Sequence, residues 1–498
     1  VPLKLIPLIP LLPLLAALWI AIGYAFGGNR GEVGERQTSH LALFASGMSL
    51  LIILAVDVMA LVDGTAPGQL LVGEWLAVGS FVLNISFTLD TLGLAMTTLV
   101  ALIAFLTLRF SVNYMHREAG FQRFFMVMSL FSGAMLLIVS AGNAALMFIG
   151  WELAGVSSYL LIAYLFDRPT ATASATRAFI TNRVGDAAFI LALFLTITWF
   201  GGVEWPDLLQ GVTRLDGLGA GLLAGAFLIA ALAKSAQFPF APWIGRALEG
   251  PTPSSAIFYG SLMVHAGVYL LLRLAPLLEQ VPALSPLIII IGLLSTLYGW
   301  LGAQVQSDVK SSLIFATTAQ VGLMFITIGL GWYEVAALHL MAHASWRALQ
   351  FLSAPSILVQ SEKPPRAVAA WLRRQRWLYH ASLQRFWLDD VSDALLLRPT
   401  ESLAREVEHF DSAVVNRVVG HVQSHSEIGT GRGVAGRAME WLAIRLEWLE
   451  ENLILRSGGE GLIGLISRIG SQAQAIEKLL ERPRYLWLMI MATLVVII

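Results

Sequence analysis

The stretch ALAKSAQFPFAPW, residues 231–243, places Lys234, Pro239 and Pro242 in a run otherwise apolar enough to lie in a bilayer. Proline removes a backbone donor and frees carbonyls, which inside a membrane must find water or polar partners. The spacing therefore predicts a membrane helix that is broken near Pro239. A broken helix exposes dipole ends and backbone groups in the middle of the bilayer, as ion-translocating proteins use them. A desolvated lysine at such a break, next to a carboxylate, can give up and regain its proton.

Outward from this break, apolar segments of the roughly 20 residues needed to span a membrane recur near 3–27, 40–62, 88–112, 121–141, 143–166, 174–200, 217–245, 253–276, 282–305, 308–330 and 333–359. The chain is thus read as an all-α polytopic membrane protein with about eleven transmembrane helices. Only 13% of its 498 residues are charged and 57% are hydrophobic, whereas a soluble domain carries about a quarter charged residues. The 32 basic residues balance the 33 acidic ones, so charge gives no reason to expect a nucleic-acid partner. Cysteine is absent, which removes disulfides, thiolate metal sites and cysteine nucleophiles. The apolar start, Val1 to Ile22, has almost no basic n-region and reads as a first span instead of a signal peptide.

Basic residues set the topology. Arg30, Arg36, Arg117, Arg123, Arg168, Arg177, Arg246 and Lys310 fall in alternate connections, while the opposite connections hold little beyond Lys4 and Arg214. By the positive-inside rule the amino terminus is outside. Eleven spans then put the basic region after residue 360, with Lys363, Arg366, Arg373, Arg374, Arg376 and Arg385, on the cytoplasmic side. From 361 to 483 charged and apolar residues interleave at helical spacing, which fits an amphipathic helical region on the membrane face or against a partner; a small cytoplasmic helical domain is the alternative. The last apolar run, residues 485–498, is shorter than a span and reads as the start of a terminal anchor.

Ionisable residues inside spans are functional candidates by default. Glu152 interrupts FIGWELAGVSSYLL (148–161) and is the candidate carboxylate for Lys234. Arg183 and Asp186 in TNRVGDAAF (181–189) lie at i, i+3 spacing, on one helix face, where they can neutralise each other. His265 lies in SLMVHAGVYL (261–270) and Lys310 in SDVKSSLIF (307–315). His339, His343 and Arg347 in LHLMAHASWRAL (338–349) are four apart and share a face. Histidine titrates near neutral pH and passes a proton between its two ring nitrogens. A metal would want carboxylate or cysteine company, and here a cation stands one turn away, so no metal site is assigned. Static buried ion pairs, and a packing role for His265, are the competing readings.

These segments, with FTLDTLG (87–93), SVNYMHREAGFQRFF (111–125), ALEGPTPSSA (247–256) and QSDVKSSLIFATTAQVG (306–322), resemble the antiporter-like subunits of respiratory complex I and the Mrp antiporters, most closely the L subunit, over roughly residues 80–360. The resemblance implies an antiporter-like bundle: N-terminal helices over 1–120, a first half-channel over 121–280, a partial second over 281–360, the amphipathic tail over 361–483 and the anchor over 484–498. It also implies a proton relay through Glu152, Lys234, Lys310, His339 and His343, with Arg183, Asp186, His265 and Arg347 as supporting charges.

Three departures stand out. Arg347 occupies the place of the family's usual relay lysine and hardly ever deprotonates, so it reads as a fixed charge or a gate. Tyr259 stands where a histidine is usual, with His265 six residues later. After Pro355 the chain passes straight into charged sequence, without the family's second broken helix, before FWLDDVSDALLLRPTESLAR (386–405), which resembles the segment leading into the lateral helix of L subunits. The shortened pattern is similar to DabB, the proton-channel partner of a zinc-bearing DabA protein in inorganic-carbon accumulation. The expectation is a subunit of the bacterial inner membrane that makes or breaks no covalent bond, carries no cofactor itself, and lends proton flux to a DabA-like partner. An L-type subunit of a complex I-like assembly and an Mrp-type antiporter are the alternatives; a membrane scaffold without transport is the rival class.

Overall fold

The computed structural model describes residues 2–27, 31–79, 81–354 and 368–410. It is a helical bundle: α1 (Leu8–Ala25), α2 (Gly31–Asp63), α3 (Thr91–Tyr114), α4 (Phe121–Ser140), α5 (Ala144–Ile162), α6 (Pro169–Phe200), the short α7 (Trp205–Gly211), α8 (Gly217–Lys234), α9 (Thr252–Ser255), α10 (Ala266–Arg273), α11 (Ala275–Glu279), α12 (Ser285–Gln304), α13 (Val309–Gly329) and α14 (Tyr333–Leu352). Among the described residues ten helical segments are long and apolar enough to cross a membrane, and they match the first ten spans read from the sequence. The eleventh span is present as α14, but Glu334, His339, His343 and Arg347 make it too polar to qualify on composition.

The all-α expectation missed one element. Between α2 and α3 the chain forms an antiparallel hairpin, β1 (Gly68–Val78) and β2 (Phe81–Leu89), paired from Gly68↔Leu89 to Val78↔Phe81. The span expected from residue 88 therefore begins only at Thr91. Asp90 caps it by accepting from the Gly93 N–H at 2.8 Å, and pairs with Arg273 at the end of α10. Asn143, Asp216 and Asp308 cap α5, α8 and α13 in the same way, satisfying donors that a helix start leaves unpaired.

Helix α4 lies at the centre, nearly all of it buried, between α1 and α5. Backbones approach closely between α12 and α13, where a Cβ on Gly292 would strike the Gly322 carbonyl, the small-residue packing that membrane helices use. Helix α6 packs on α8 because Gly185 leaves room for Ala233. That contact places Asp186 beside Lys234.

As the prolines predict, α8 ends at Lys234, and the chain resumes only as a 3-10 segment, Ala241–Glu249. Ala236 turns through φ +50°. The freed backbone groups find partners: the Trp243 indole N–H donates to the Ala233 carbonyl (3.0 Å) and the Phe238 N–H to Ser295 Oγ on α12 (2.9 Å). The following span is irregular too, with a π-helical stretch over Ala256–Ser261 and a 3-10 turn over Met263–His265 between α9 and α10. It is also fully enclosed by the bundle.

After α14, a short helix at Leu388–Ser392 returns to the bundle. Asp389 accepts from Arg246 Nε (2.9 Å) and Arg385 Nη1 (3.3 Å), and Asp393 pairs with Arg177 of α6. Beyond Asp393 lies the helix Arg398–Phe410, in which Leu403 and Val407 stand four apart among Glu401, Arg405, Glu406 and Glu408, the interleaving the sequence anticipated. The position of the missing second broken helix, the remainder of the amphipathic region and the terminal anchor lie outside the described residues.

Candidate proton relay

The first cluster forms where α5, α6 and α8 meet. Glu152 is 4% exposed, Asp186 2% and Lys234 1%. Arg183 joins the two carboxylates: its Nη2 lies 2.5 Å from Glu152 Oε2 and 2.9 Å from Asp186 Oδ2. Lys234 Nζ stands 3.9 Å from Asp186 Oδ1, donates to the Trp151 carbonyl (3.1 Å) and sits 4.9 Å from the centre of the Trp151 ring. The Trp151 indole N–H donates to the same Asp186 oxygen at 2.9 Å.

The pairing expected between Glu152 and Lys234 is therefore indirect. Ion pairs run Glu152–Arg183–Asp186–Lys234, with Asp186 as the carboxylate that faces the lysine. The i, i+3 neutralisation of Arg183 by Asp186 is present. Two acids and two bases balance, which is how four buried charges avoid the desolvation cost of isolated ones. Glu152 Oε1, Ser235 Oγ and Gln237 Oε1 are buried without a protein hydrogen-bond partner. Polar atoms in that condition bind water, so the cluster and the break after Lys234 can be wetted.

The second cluster sits on α14 and the irregular span before α10. His265, 1% exposed, meets His343 across the bundle, Nε2 to Nδ1 at 3.0 Å. Arg347 Nε and Nη2 both donate to His343 Nε2, at 3.3 and 3.2 Å. His339 lies beside His343 with ring centres 6.1 Å apart, and its Nε2 bonds Gln320 of α13 at 2.9 Å. Ser235, just past Lys234, packs at Gly267, two residues from His265. It supplies a hydroxyl between the clusters.

Lys310 is not brought to this row. At the start of α13 it donates to Thr252 Oγ1 (2.5 Å), which also bonds Tyr114 Oη (2.9 Å). Ten residues of helix, roughly 15 Å, separate it from Gln320. Pro239 lies within the break and Pro242 in the 3-10 segment that follows it. Sequence reasoning missed Gln320, the Trp151 contacts and the Asp389 and Asp393 anchors. The acidic run LDDVSD was the available signal for the last of these.

Residues 75–125 match the family described as NADH-ubiquinone oxidoreductase (complex I), chain 5 N-terminus. NADH-quinone oxidoreductase subunit L of Neisseria meningitidis is 33% identical over 349 residues, 67% of this chain and 51% of that protein. The chloroplastic NAD(P)H-quinone oxidoreductase subunit 5 of Lemna minor is 40% identical over 294 residues, 58% of this chain and 40% of that one. The chain thus spans about half or less of the length of these relatives. A chain of the Mrp complex from Dietzia sp. superposes with a TM-score of 0.61 at 21% identity, covering 98% of this chain and 62% of its own. A chain of the archaeal membrane-bound sulfane sulfur reductase gives 0.58 at 20%, covering 69% and 55%. Both likenesses concern the fold. This is a multi-pass membrane protein of antiporter-like fold, and residues 141–372, which hold every side chain of both clusters, match the NADH:quinone oxidoreductase/Mrp antiporter transmembrane family.

Proposed function

We propose that this chain conducts protons across a bacterial cytoplasmic membrane as one subunit of a larger, L-type quinone oxidoreductase-like assembly, with its amino terminus outside. The observation that carries this reading is the charge-balanced set Glu152–Arg183–Asp186–Lys234, buried at a helix break. A proton arriving on either carboxylate leaves Arg183 and Lys234 in excess, and Lys234, the only member able to shed a proton from a cation, relieves that excess by releasing one toward Ser235. Water and the Ser235 hydroxyl then carry it on to the imidazoles of His265 and His343. Lys310, held by Thr252 and Tyr114, stands apart as a docking point for protons from the face that carries Arg246 and the tail.

The relatives at 33–40% identity are quinone oxidoreductase subunits, and they favour this assembly over the carbon-accumulating one, which rests on the sequence after Pro355. The test is driven proton uptake in vesicles bearing the intact complex, followed with a pH-sensitive dye. Lys234→Ala and Glu152→Gln each lower uptake by about a hundredfold, the scale of losing a positioned proton-transfer group. Full uptake in both variants would leave the chain as a scaffold. Subunits that co-purify in mild detergent identify the assembly: flavin and iron–sulfur proteins support the reading, whereas a single large zinc protein points to a DabA-like partner. Sodium-dependent flux would point to an Mrp-type exchanger.

A further inference from the structure

We propose that Arg347 is a latch that holds the histidine segment of the route closed, an inference that rests on the conduction reading above and specifies what controls it. Guanidinium nitrogens can only donate hydrogen bonds. Because Arg347 Nε and Nη2 both reach His343 Nε2, that nitrogen is an acceptor and carries no proton. The single proton of His343 is then on Nδ1, where it is donated to His265 Nε2 at 3.0 Å, and the proton of His265 is on Nδ1. Two imidazoles from two spans are locked into one orientation by a cation at the end of the row.

The lock has a functional consequence. A proton crosses an imidazole by arriving at one nitrogen and leaving from the other. Nε2, the nitrogen through which a proton would pass between His343 and the far side of the pair, is covered twice by N–H groups of a permanent cation, and an imidazolium formed beside it would meet a like charge in a desolvated setting. His339 is no detour, since it packs against His343 ring to ring and spends Nε2 on Gln320. Among the described residues Arg347, 6% exposed, forms no ion pair, in contrast to Arg183, which forms two. Its stem lies along Gly260 in the π-helical stretch, the kind of irregular turn found at functional sites. Among the described residues the guanidinium is held by the His343 imidazole, and such a hold is easier to undo than one by carboxylates, which suits a part that must move.

The experiment measures passive proton leak after an imposed pH step, in vesicles bearing the intact complex and in the absence of substrate. Arg347→Ala raises the leak about tenfold, the factor that losing one charge-assisted hydrogen bond provides, and adding His343→Ala in that background returns it to the wild-type level. Arg347→Gln, close in length, gives the same gain if the alanine variant fails to assemble, and Arg347→Lys gives a smaller one. Nitrogen-15 spectra of labelled histidine show His343 protonated at Nδ1 in the wild type and a mixture of tautomers in the variant. An unchanged leak in both neutral variants, while Lys234→Ala still abolishes driven uptake, overturns the latch and spares the conduction reading. A raised leak that survives His343→Ala overturns it as well. Loss of any Lys234 effect condemns the conduction reading instead.

Discussion

The two polar clusters solve the problem of burial in opposite ways. The first spreads two carboxylates and two cations over α5, α6 and α8, each charge within reach of an opposite one. The second, on α14 and the span ending in α10, holds three imidazoles and a guanidinium with no carboxylate among the described residues bonded to them. Charge in a low-dielectric interior is tolerated when compensated, and neutral polar rings are tolerated when hydrogen-bonded. The first cluster can therefore store a proton by shifting its balance. The second can only relay one, and only along the direction its hydrogen bonds allow. On the proposed conduction reading, the first cluster is the switch and the second the gated wire that follows it.

The sharpest way to break this comparison is to unbalance the first cluster. Asp186→Asn leaves Arg183 with one carboxylate and Lys234 with none, and costs about 3–5 kcal/mol of stability, as removal of one member of a buried pair does. Thermal aggregation of the purified complex reads the stability and dye-followed uptake reads the transport, which stops. Replacing both Asp186 and Lys234 by leucine keeps the Glu152–Arg183 pair and restores net neutrality, so stability recovers while transport does not. Recovery of transport in the double variant would show that the cluster is structural.

A smaller loss is due in the second cluster. His265→Phe fills the space but strands the Nδ1–H of His343 without its acceptor, a cost of about 1–3 kcal/mol for one buried neutral donor. His265→Gln, which offers a carbonyl to that N–H, recovers most of the stability and none of the proton flux. If His265→Phe destabilises as much as Asp186→Asn, the second cluster holds charge after all and the contrast between the two fails.

The hydrophobic pattern made the fold legible: ten helices satisfy it, and the break at Lys234 follows from two prolines in one apolar run. The hairpin was not legible, because GQLLVGEWLAV and FVLNISFTL contain enough apolar residues to read as the approach to a membrane helix, and its pairing depends on two strands meeting. Within the site, the charge-bearing positions stand out against an apolar background, but their partners do not. Asp186 faces Lys234 because Gly185 admits Ala233, and His265 meets His343 across 78 residues of chain. Such choices are made by helix packing, and no local spacing encodes them. Lys310 shows the converse: a lysine conspicuous in sequence that the fold bonds to Thr252 instead of to a histidine.

The smallest effect belongs to the anchor that joins the tail to the broken helix. Asp389 takes one hydrogen bond from Arg246 Nε and one from Arg385, with Arg246 Nη2 as a further ion-pair contact, and next to it Phe386 and Leu388 lie against a core of Ala241, Tyr298 and Phe315. Side chains of Arg246 and Arg385 remain 47% and 25% exposed, so water takes over much of what Asp389 provides when it is removed. Asp389→Asn therefore costs about 1 kcal/mol, and that cost shrinks further in high salt because the exposed guanidiniums are screened. Limited trypsin digestion reads the local effect, with faster cleavage after Arg373 and Arg374 in the variant. Proton uptake stays near wild type, because the Ala241–Glu249 segment is held from the other side by Trp243 and Ser295. A loss as large as that of Asp186→Asn would mean that the tail, and not the packing of α6 on α8, keeps Lys234 at its carboxylate.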